Sequence, residues 1–92
     1  MPIKKQKIAV IGSTGSIGTA TLNTIWKFKN NFKVELLACN KNYSLAFQQI
    51  KKFHPKYVYI EDLKTFNLIK KKIKKNVLIF NDLSILEKNI KS

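Results

Sequence analysis

Arginine is absent from this chain, and all eighteen Lys and Arg positions are lysine. Arginine is the usual reader of base edges and the usual bidentate partner of phosphate. Its absence argues against sequence-specific nucleic-acid binding, despite a net charge of +13. Lysine, asparagine, isoleucine and phenylalanine are abundant together. That is the mark of AT-rich coding, so the charge reads as composition rather than as a surface built for a polyanion. The single cysteine, Cys39, excludes an internal disulfide framework and fits a reducing, cytoplasmic setting. Ending the apolar run from Val34, it reads as a buried structural thiol. The single histidine, His54, precedes Pro55 and has no companion ligand, so it reads as a cap or loop residue and supports no zinc or iron site. The five acids are scattered and offer neither a metal cluster nor an acid–base pair. No apolar run approaches the ~20 residues of a membrane span. Lys4, Lys5 and Lys7 before Ile8 to Ile11 resemble a signal peptide, but the apolar part is too short and no small-residue cleavage site follows. Ninety-two residues make one small domain with a modest core.

Glycine is also scarce, and its three copies all fall in one run, Gly12-Ser13-Thr14-Gly15-Ser16-Ile17-Gly18. The run follows the apolar stretch Ile8-Ala9-Val10-Ile11, read as a short buried strand, and opens a helical pattern. A strand, a glycine turn and a helix start present backbone N–H groups and the positive end of a helix to a phosphate. The spacing Gly-x-x-Gly-x-x-Gly is one residue longer than the usual dinucleotide fingerprint. Ser13, Thr14 and Ser16 have no general base near them in sequence. They read as phosphate hydrogen-bond donors, not nucleophiles.

The remainder alternates strand and helix. Strands are expected over Lys7–Ile11, Lys33–Cys39, Tyr57–Ile60 and Val77–Phe80. Helices are expected from Ser16 to about Phe28, from Leu45 to about Phe53 with Ser44 as N-cap, from Leu63 to about Lys74, and from Ser84 to Ile90. In the first helix Ile17, Ala20/Thr21, Thr24/Ile25 and Phe28 recur at helical spacing and predict the buried face. Glu61-Asp62 before the third helix and Lys70-Lys71-Lys72 with Lys74-Lys75 at its end suit the helix dipole. Such alternation predicts an α/β fold, a Rossmann-like parallel sheet forming the first half of a doubly wound dinucleotide-binding domain. Ligands of such sheets lie at the carboxyl ends of the strands, where the glycine loop and the Asn40-Lys41-Asn42 turn meet.

An NAD-binding chain usually carries a carboxylate at the end of its second strand. Glu35 falls too early, and the tip carries Asn40, Lys41 and Asn42. An ammonium with amide donors suits a 2′-phosphate, which favours NADP(H) over NAD(H).

The run Lys7 to Gly18, followed by Thr21-Leu22, resembles the amino terminus of the 1-deoxy-D-xylulose 5-phosphate reductoisomerase family. Phe32-Lys33-Val34, Lys41-Asn42 and Phe53-His54-Pro55-Lys56-Tyr57-Val58 fit that family too. The resemblance implies an NADPH-dependent oxidoreductase of non-mevalonate isoprenoid biosynthesis. Such an enzyme converts 1-deoxy-D-xylulose 5-phosphate to 2-C-methyl-D-erythritol 4-phosphate with NADPH and a divalent cation (Mg²⁺ or Mn²⁺). By position, Thr14, Gly15, Ser16 and Ile17 would hold the pyrophosphate region, and Lys41 and Asn42 the 2′-phosphate end. Asn40 stands where the family commonly has glycine, and asparagine tolerates a left-handed turn.

The family's metal-binding carboxylates, substrate-phosphate site and lid lie beyond the length of this chain, as do the parts through which a homodimer would form. The expectation is therefore an NADPH-binding domain over residues 1–92, incomplete at its C-terminus. It would have no catalytic or metal residues of its own, and its first strand would be left as an unpaired, aggregation-prone edge. A non-catalytic NADP-binding module, another glycine-loop dehydrogenase and, less favoured, a basic nucleic-acid-binding domain remain open on these residues.

Overall fold

A computed structural model describes residues 5–73 and 76–82. Its elements alternate in chain order. They are β1 (Gln6–Ile11), α1 (Ser16–Lys27), β2 (Phe32–Cys39), α2 (Tyr43–Phe53), β3 (Tyr57–Ile60), α3 (Leu63–Lys72) and β4 (Leu78–Phe80). Each observed strand and helix falls within two residues of its expected bounds. The helix expected over Ser84–Ile90, and Lys74-Lys75, lie outside the described residues.

The four strands form one parallel sheet in the order β1-β2-β3-β4. Every crossover steps in the same direction. With right-handed connections this places all three helices on one face of the sheet. Contacts between the helices agree: Trp26 of α1 meets Phe53 of α2 edge-on at 5.6 Å, and α2 packs on α3. The other face carries a row of register partners at the carboxyl ends, Ile11, Ala38, Tyr59 and Phe80.

The core lies between sheet and helices. Val10, Val34, Leu37, Val58, Ile60 and Ile79 meet Leu22 and Ile25 of α1, Ala46 and Ile50 of α2, and Ile69 of α3. Leu37, Ala38 and Cys39 are buried in succession, as expected where a parallel strand is covered on both sides. Their removal from water is worth about 25 cal/mol per Å² of apolar surface.

Three expectations are corrected. First, β1 is not a buried strand: Val10 alone is buried, and Ile11 is 71% exposed. Among the described residues β1 pairs only with β2 and lies at the edge of the sheet. This is as expected for the first half of a doubly wound plan, whose complete form has this strand at the centre. Second, α1 buries Gly18 and Leu22 together with Ile25, the one member of the expected face that is buried. Ile17 is 83% exposed, and Ala20, Thr21, Thr24 and Phe28 face water. The threonine hydroxyls settle on their own helix, Thr21 on the Ile17 carbonyl and Thr24 on that of Ala20, so their stripe needs no core. Third, α2 begins earlier: Asn42, not Ser44, is its N-cap, accepting from Leu45 N–H at 3.1 Å. Asparagine caps as well as serine does.

The far ends of the helices close as read. His54 is the C-cap of α2 in the left-handed region (φ 50°), donating its N–H to the Ile50 carbonyl, and Pro55 follows it. Lys70, Lys71 and Lys72 form the exposed last turn of α3. At the amino end of the strands, the Trp26 ring has Lys29 Nζ 4.2 Å and Lys52 Nζ 4.5 Å from its centroid.

Candidate functional site

At the carboxyl end of β1 the chain turns on Gly12, whose φ of +70° is a conformation L side chains rarely adopt. The loop is then tied to the next strand: the N–H groups of Gly12 and Ser13 both donate to the Ala38 carbonyl, at 2.8 and 3.0 Å. The Gly15 N–H closes the turn onto the Gly12 carbonyl at 3.0 Å. Gly18, one turn into α1, sits directly against the Gly12 peptide.

The three glycines answer to different demands. Gly12 is required by its backbone angle and Gly18 by packing. Gly15 is required by neither: it has no positive φ, and an added β-carbon would meet only the Gly12 oxygen at 3.4 Å. Gly15 is exposed and lines an open cleft of about 440 Å³ together with Ile11, Gly12, Thr14, Ala38, Asn40 and Glu61. A missing side chain there makes room for something outside the chain.

Helix termini reinforce the point. Asn42 caps α2 and Asp62 caps α3 with side-chain oxygens. Gly15 caps α1 with none. The first N–H groups of α1 are therefore left for a ligand, and the helix dipole favours an anion. These observations fit a dinucleotide pyrophosphate.

Thr14, Gly15 and Asn40 thus share one cleft. Ser16 and Ile17 stand beside it as the exposed first residues of α1. Lys41 and Asn42 lie on the exposed turn after β2. Asn42 spends Oδ1 on its cap, leaving Nδ2 as its donor. Asn40 has no left-handed φ. The described non-glycine residues with positive φ are His54 and Asn76, so glycine is not needed at position 40 on that ground. The Asn40 carbonyl instead accepts from Asp62 N–H at 3.2 Å.

Ser13 departs from its expected role as a phosphate donor. It is fully buried, its N–H is held by Ala38, and its carbonyl accepts from Gln49 Nε2 at 2.8 Å and from Thr19 Oγ1 at 3.5 Å. Its Oγ and Gln49 Oε1 are buried without hydrogen-bond partners. Each such atom costs about 1–3 kcal/mol, a burden that fits a functional loop better than a neutral stretch of core. Gln49 carried no motif in the sequence. The one available signal was a polar residue at a core position of α2, between Ala46 and Ile50.

Linear reading gave Glu61 and Asp62 to the start of α3 but missed their place beside the cleft and the β2 tip. β3 ends beside β2, and Glu61 N–H donates to the Cys39 carbonyl at 3.0 Å. This brings Glu61 into the cleft and Asp62 near Lys41. Asp62 Oδ2 accepts from Thr65 N–H at 3.0 Å and Thr65 Oγ1 at 2.8 Å. Those bonds hold its carboxyl below the usual range, with smaller help from the Lys41 and Lys64 charges. Thr65 Oγ1 also lies 3.3 Å from the Lys41 carbonyl, so α3 steadies the Asn40–Asn42 turn. Cys39 is buried as read, and burial pushes its thiol up to about 11. Among the described residues no group of three or more His, Cys, Asp or Glu could hold a metal ion, and no helix is long and apolar enough to cross a membrane.

Comparison with known proteins gives this geometry its context. The family model described as 1-deoxy-D-xylulose 5-phosphate reductoisomerase matches residues 8–89. The reductoisomerase of Pelagibacter ubique is 46% identical over 85 residues, which is 90% of this chain and 22% of that protein. That of Thermoanaerobacter sp. (strain X514) is 38% identical over 86 residues, 94% of this chain and 22% of its own length. The solved reductoisomerase of Zymomonas mobilis in complex with NADPH superposes with a TM-score of 0.81 at 26% identity, covering 92% of this chain and 23% of that one. The chain spans about a fifth of the length of the relatives it matches. Strand, glycine loop and parallel sheet agree with a family match across nearly the whole sequence: this chain belongs to the 1-deoxy-D-xylulose 5-phosphate reductoisomerase family.

Proposed function

We propose that this chain is the NADPH-binding amino-terminal portion of a reductoisomerase. In this reading the backbone around Thr14, Gly15, Ser16 and Ile17 receives the pyrophosphate. Asn40, Lys41 and Asn42 receive the 2′-phosphate end, where the Lys41 ammonium offsets a dianion. The observation that carries the proposal is Gly15, an exposed glycine that neither backbone angle nor packing requires, capping a helix start with no side chain of its own. The Zymomonas mobilis relative superposes in its NADPH complex.

NADPH, when bound, supplies a hydride. The part of this chain is to bind and orient the dinucleotide across the carboxyl ends of β1 and β2. The reduction and rearrangement of 1-deoxy-D-xylulose 5-phosphate to 2-C-methyl-D-erythritol 4-phosphate would use a divalent cation, a sugar-phosphate site and a dimer contact. In this reading all of these belong to the part of the relatives beyond the 22% of their length that this chain covers. The setting is cytoplasmic.

The test is a fluorescence titration of the 92-residue chain with NADPH and with NADH, at low and at moderate salt. Saturable binding that favours NADPH and survives moderate salt is expected. Binding that vanishes with salt and ignores Gly15→Asp would instead mark a non-specific polyanion site. No binding by a folded chain would remove the proposal for this chain alone.

A further inference from the structure

We infer that Gln49 is a positioning residue that aims the Thr14 N–H into the cleft, an inference that rests on the NADPH reading above. Gln49 comes from α2, thirty-six residues from the loop it touches, and its Nε2 donates to the Ser13 carbonyl at 2.8 Å in a buried bond. The Ser13–Thr14 peptide is trans, as are all described here. In a trans peptide the carbonyl and the following N–H point in opposite directions. Drawing the Ser13 oxygen inward to Gln49 therefore turns the Thr14 N–H outward. Thr14 lines the cleft, and its N–H has no partner among the described residues. The other anchors act elsewhere: the Ala38 carbonyl holds the N–H groups of Gly12 and Ser13, and the Gly12 carbonyl holds that of Gly15. Thr19 Oγ1, at 3.5 Å, is at the outer limit of a hydrogen bond. Gln49 is thus the one close side-chain donor to the peptide whose N–H faces the ligand.

A carboxamide is also a costly choice for this position. Gln49 is 6% exposed and its Oε1 is unpartnered. An apolar side chain would satisfy α2 packing as its neighbours Ala46 and Ile50 do. The donor function of Nε2 is what distinguishes glutamine here, and its target is the loop rather than the core.

The experiment compares the wild-type chain with Gln49→Met and Gln49→Leu, both of which keep bulk and remove the donor. Two quantities are read. Hydrogen exchange in the absence of ligand is followed at the loop amides and at β3. Affinity is measured for NADPH and for adenosine 2′-phosphate, which carries the 2′-phosphate end without the pyrophosphate. The expected result is faster exchange at the hydrogen-bonded loop amides of Ser13 and Gly15, which flank the Thr14 peptide, with β3 protection unchanged. NADPH affinity should fall on the order of tenfold, as for a weakened hydrogen bond to a charged group, with adenosine 2′-phosphate affinity unchanged. Unaltered loop exchange in both variants would overturn the inference. So would parallel loss of both ligands together with β3 protection, which would mark Gln49 as merely structural. If the wild-type chain binds no NADPH while the variants still loosen the Ser13 and Gly15 amides, the positioning role stands and the cofactor reading fails.

Discussion

Gly18 lies so close under Gly12 that a β-carbon on it would fall 2.8 Å from the Gly12 carbonyl carbon, and nearer still to its oxygen. The helix can start where it does only because that carbon is missing. Gly18→Ala is therefore expected to cost about 1–3 kcal/mol by overpacking, while Gly15→Ala, at ordinary contact distance, leaves stability nearly unchanged. Urea melts of the two variants, compared at constant m-value, check this. Equal stabilities would show that the loop yields freely.

Gly15→Asp separates binding from folding. Its side chain opens on the cleft, so the melt should stay within about 1 kcal/mol of wild type, as for substitutions outside packed regions. The carboxylate would occupy the place of the pyrophosphate, and NADPH binding is expected to be lost. A titration showing wild-type affinity would move the phosphate away from this loop.

Lys41→Ala should act on choice of dinucleotide more than on binding as such. Removing the ammonium is expected to weaken NADPH roughly tenfold, the scale of one charge-assisted contact, with NADH little affected. Parallel NADPH and NADH titrations give the ratio. A preserved preference would assign the 2′-phosphate to other donors.

Asp62 predicts an acid limb in stability. Its carboxyl is lowered, first by the Thr65 N–H and then by the Thr65 hydroxyl. A carboxyl depressed in the folded state contributes stability that is present above its unfolded value and lost as pH falls through the folded one. Stability should therefore decline below about pH 4, the unperturbed carboxylate value. Asp62→Asn, which still caps a helix, should flatten that decline. Chemical melts from pH 6 to the acid limb, run on both proteins, provide the comparison.

Cys39 predicts slow thiol chemistry. Burial at 6% exposure and a pKa pushed up to about 11 leave little accessible thiolate at neutral pH. Labelling by a disulfide reagent should follow the opening of the fold and accelerate in urea. Immediate labelling of the native chain would show that the end of β2 is open.

The strands and the glycine loop were legible because each rests on a local signal. Ile8–Ile11 and Val34–Cys39 are short apolar runs, and the three glycines stand together in one turn. Ile25 of the expected α1 face is buried, but the rest of that face was misread, because Ile17, Thr21, Thr24 and Phe28 repeat at helical spacing just as Gly18, Leu22 and Ile25 do. Periodicity reports a stripe without saying which stripe the sheet covers. The buried stripe begins with a glycine, which carries no hydrophobic signal at all. Ser13 looked like a donor because it sits inside the glycine run, yet it is fully buried, with its carbonyl held by Gln49 of α2. Gln49 reaches the loop through the packing of α2 on the sheet, and Glu61 and Asp62 reach the β2 tip through parallel pairing, relations no linear spacing encodes.

Trp26 is the only tryptophan, and its place at the amino end of the strands gives the molecule a built-in optical ruler. The glycine loop lies at the opposite end, about 20 Å away along a six-residue strand. A ligand in the cleft cannot touch the indole, so contact quenching is excluded. Reduced nicotinamide absorbs where tryptophan emits, so NADPH at the loop would dim Trp26 by energy transfer through space. The oxidised cofactor, lacking that absorption, would bind in the same cleft and leave the emission unchanged.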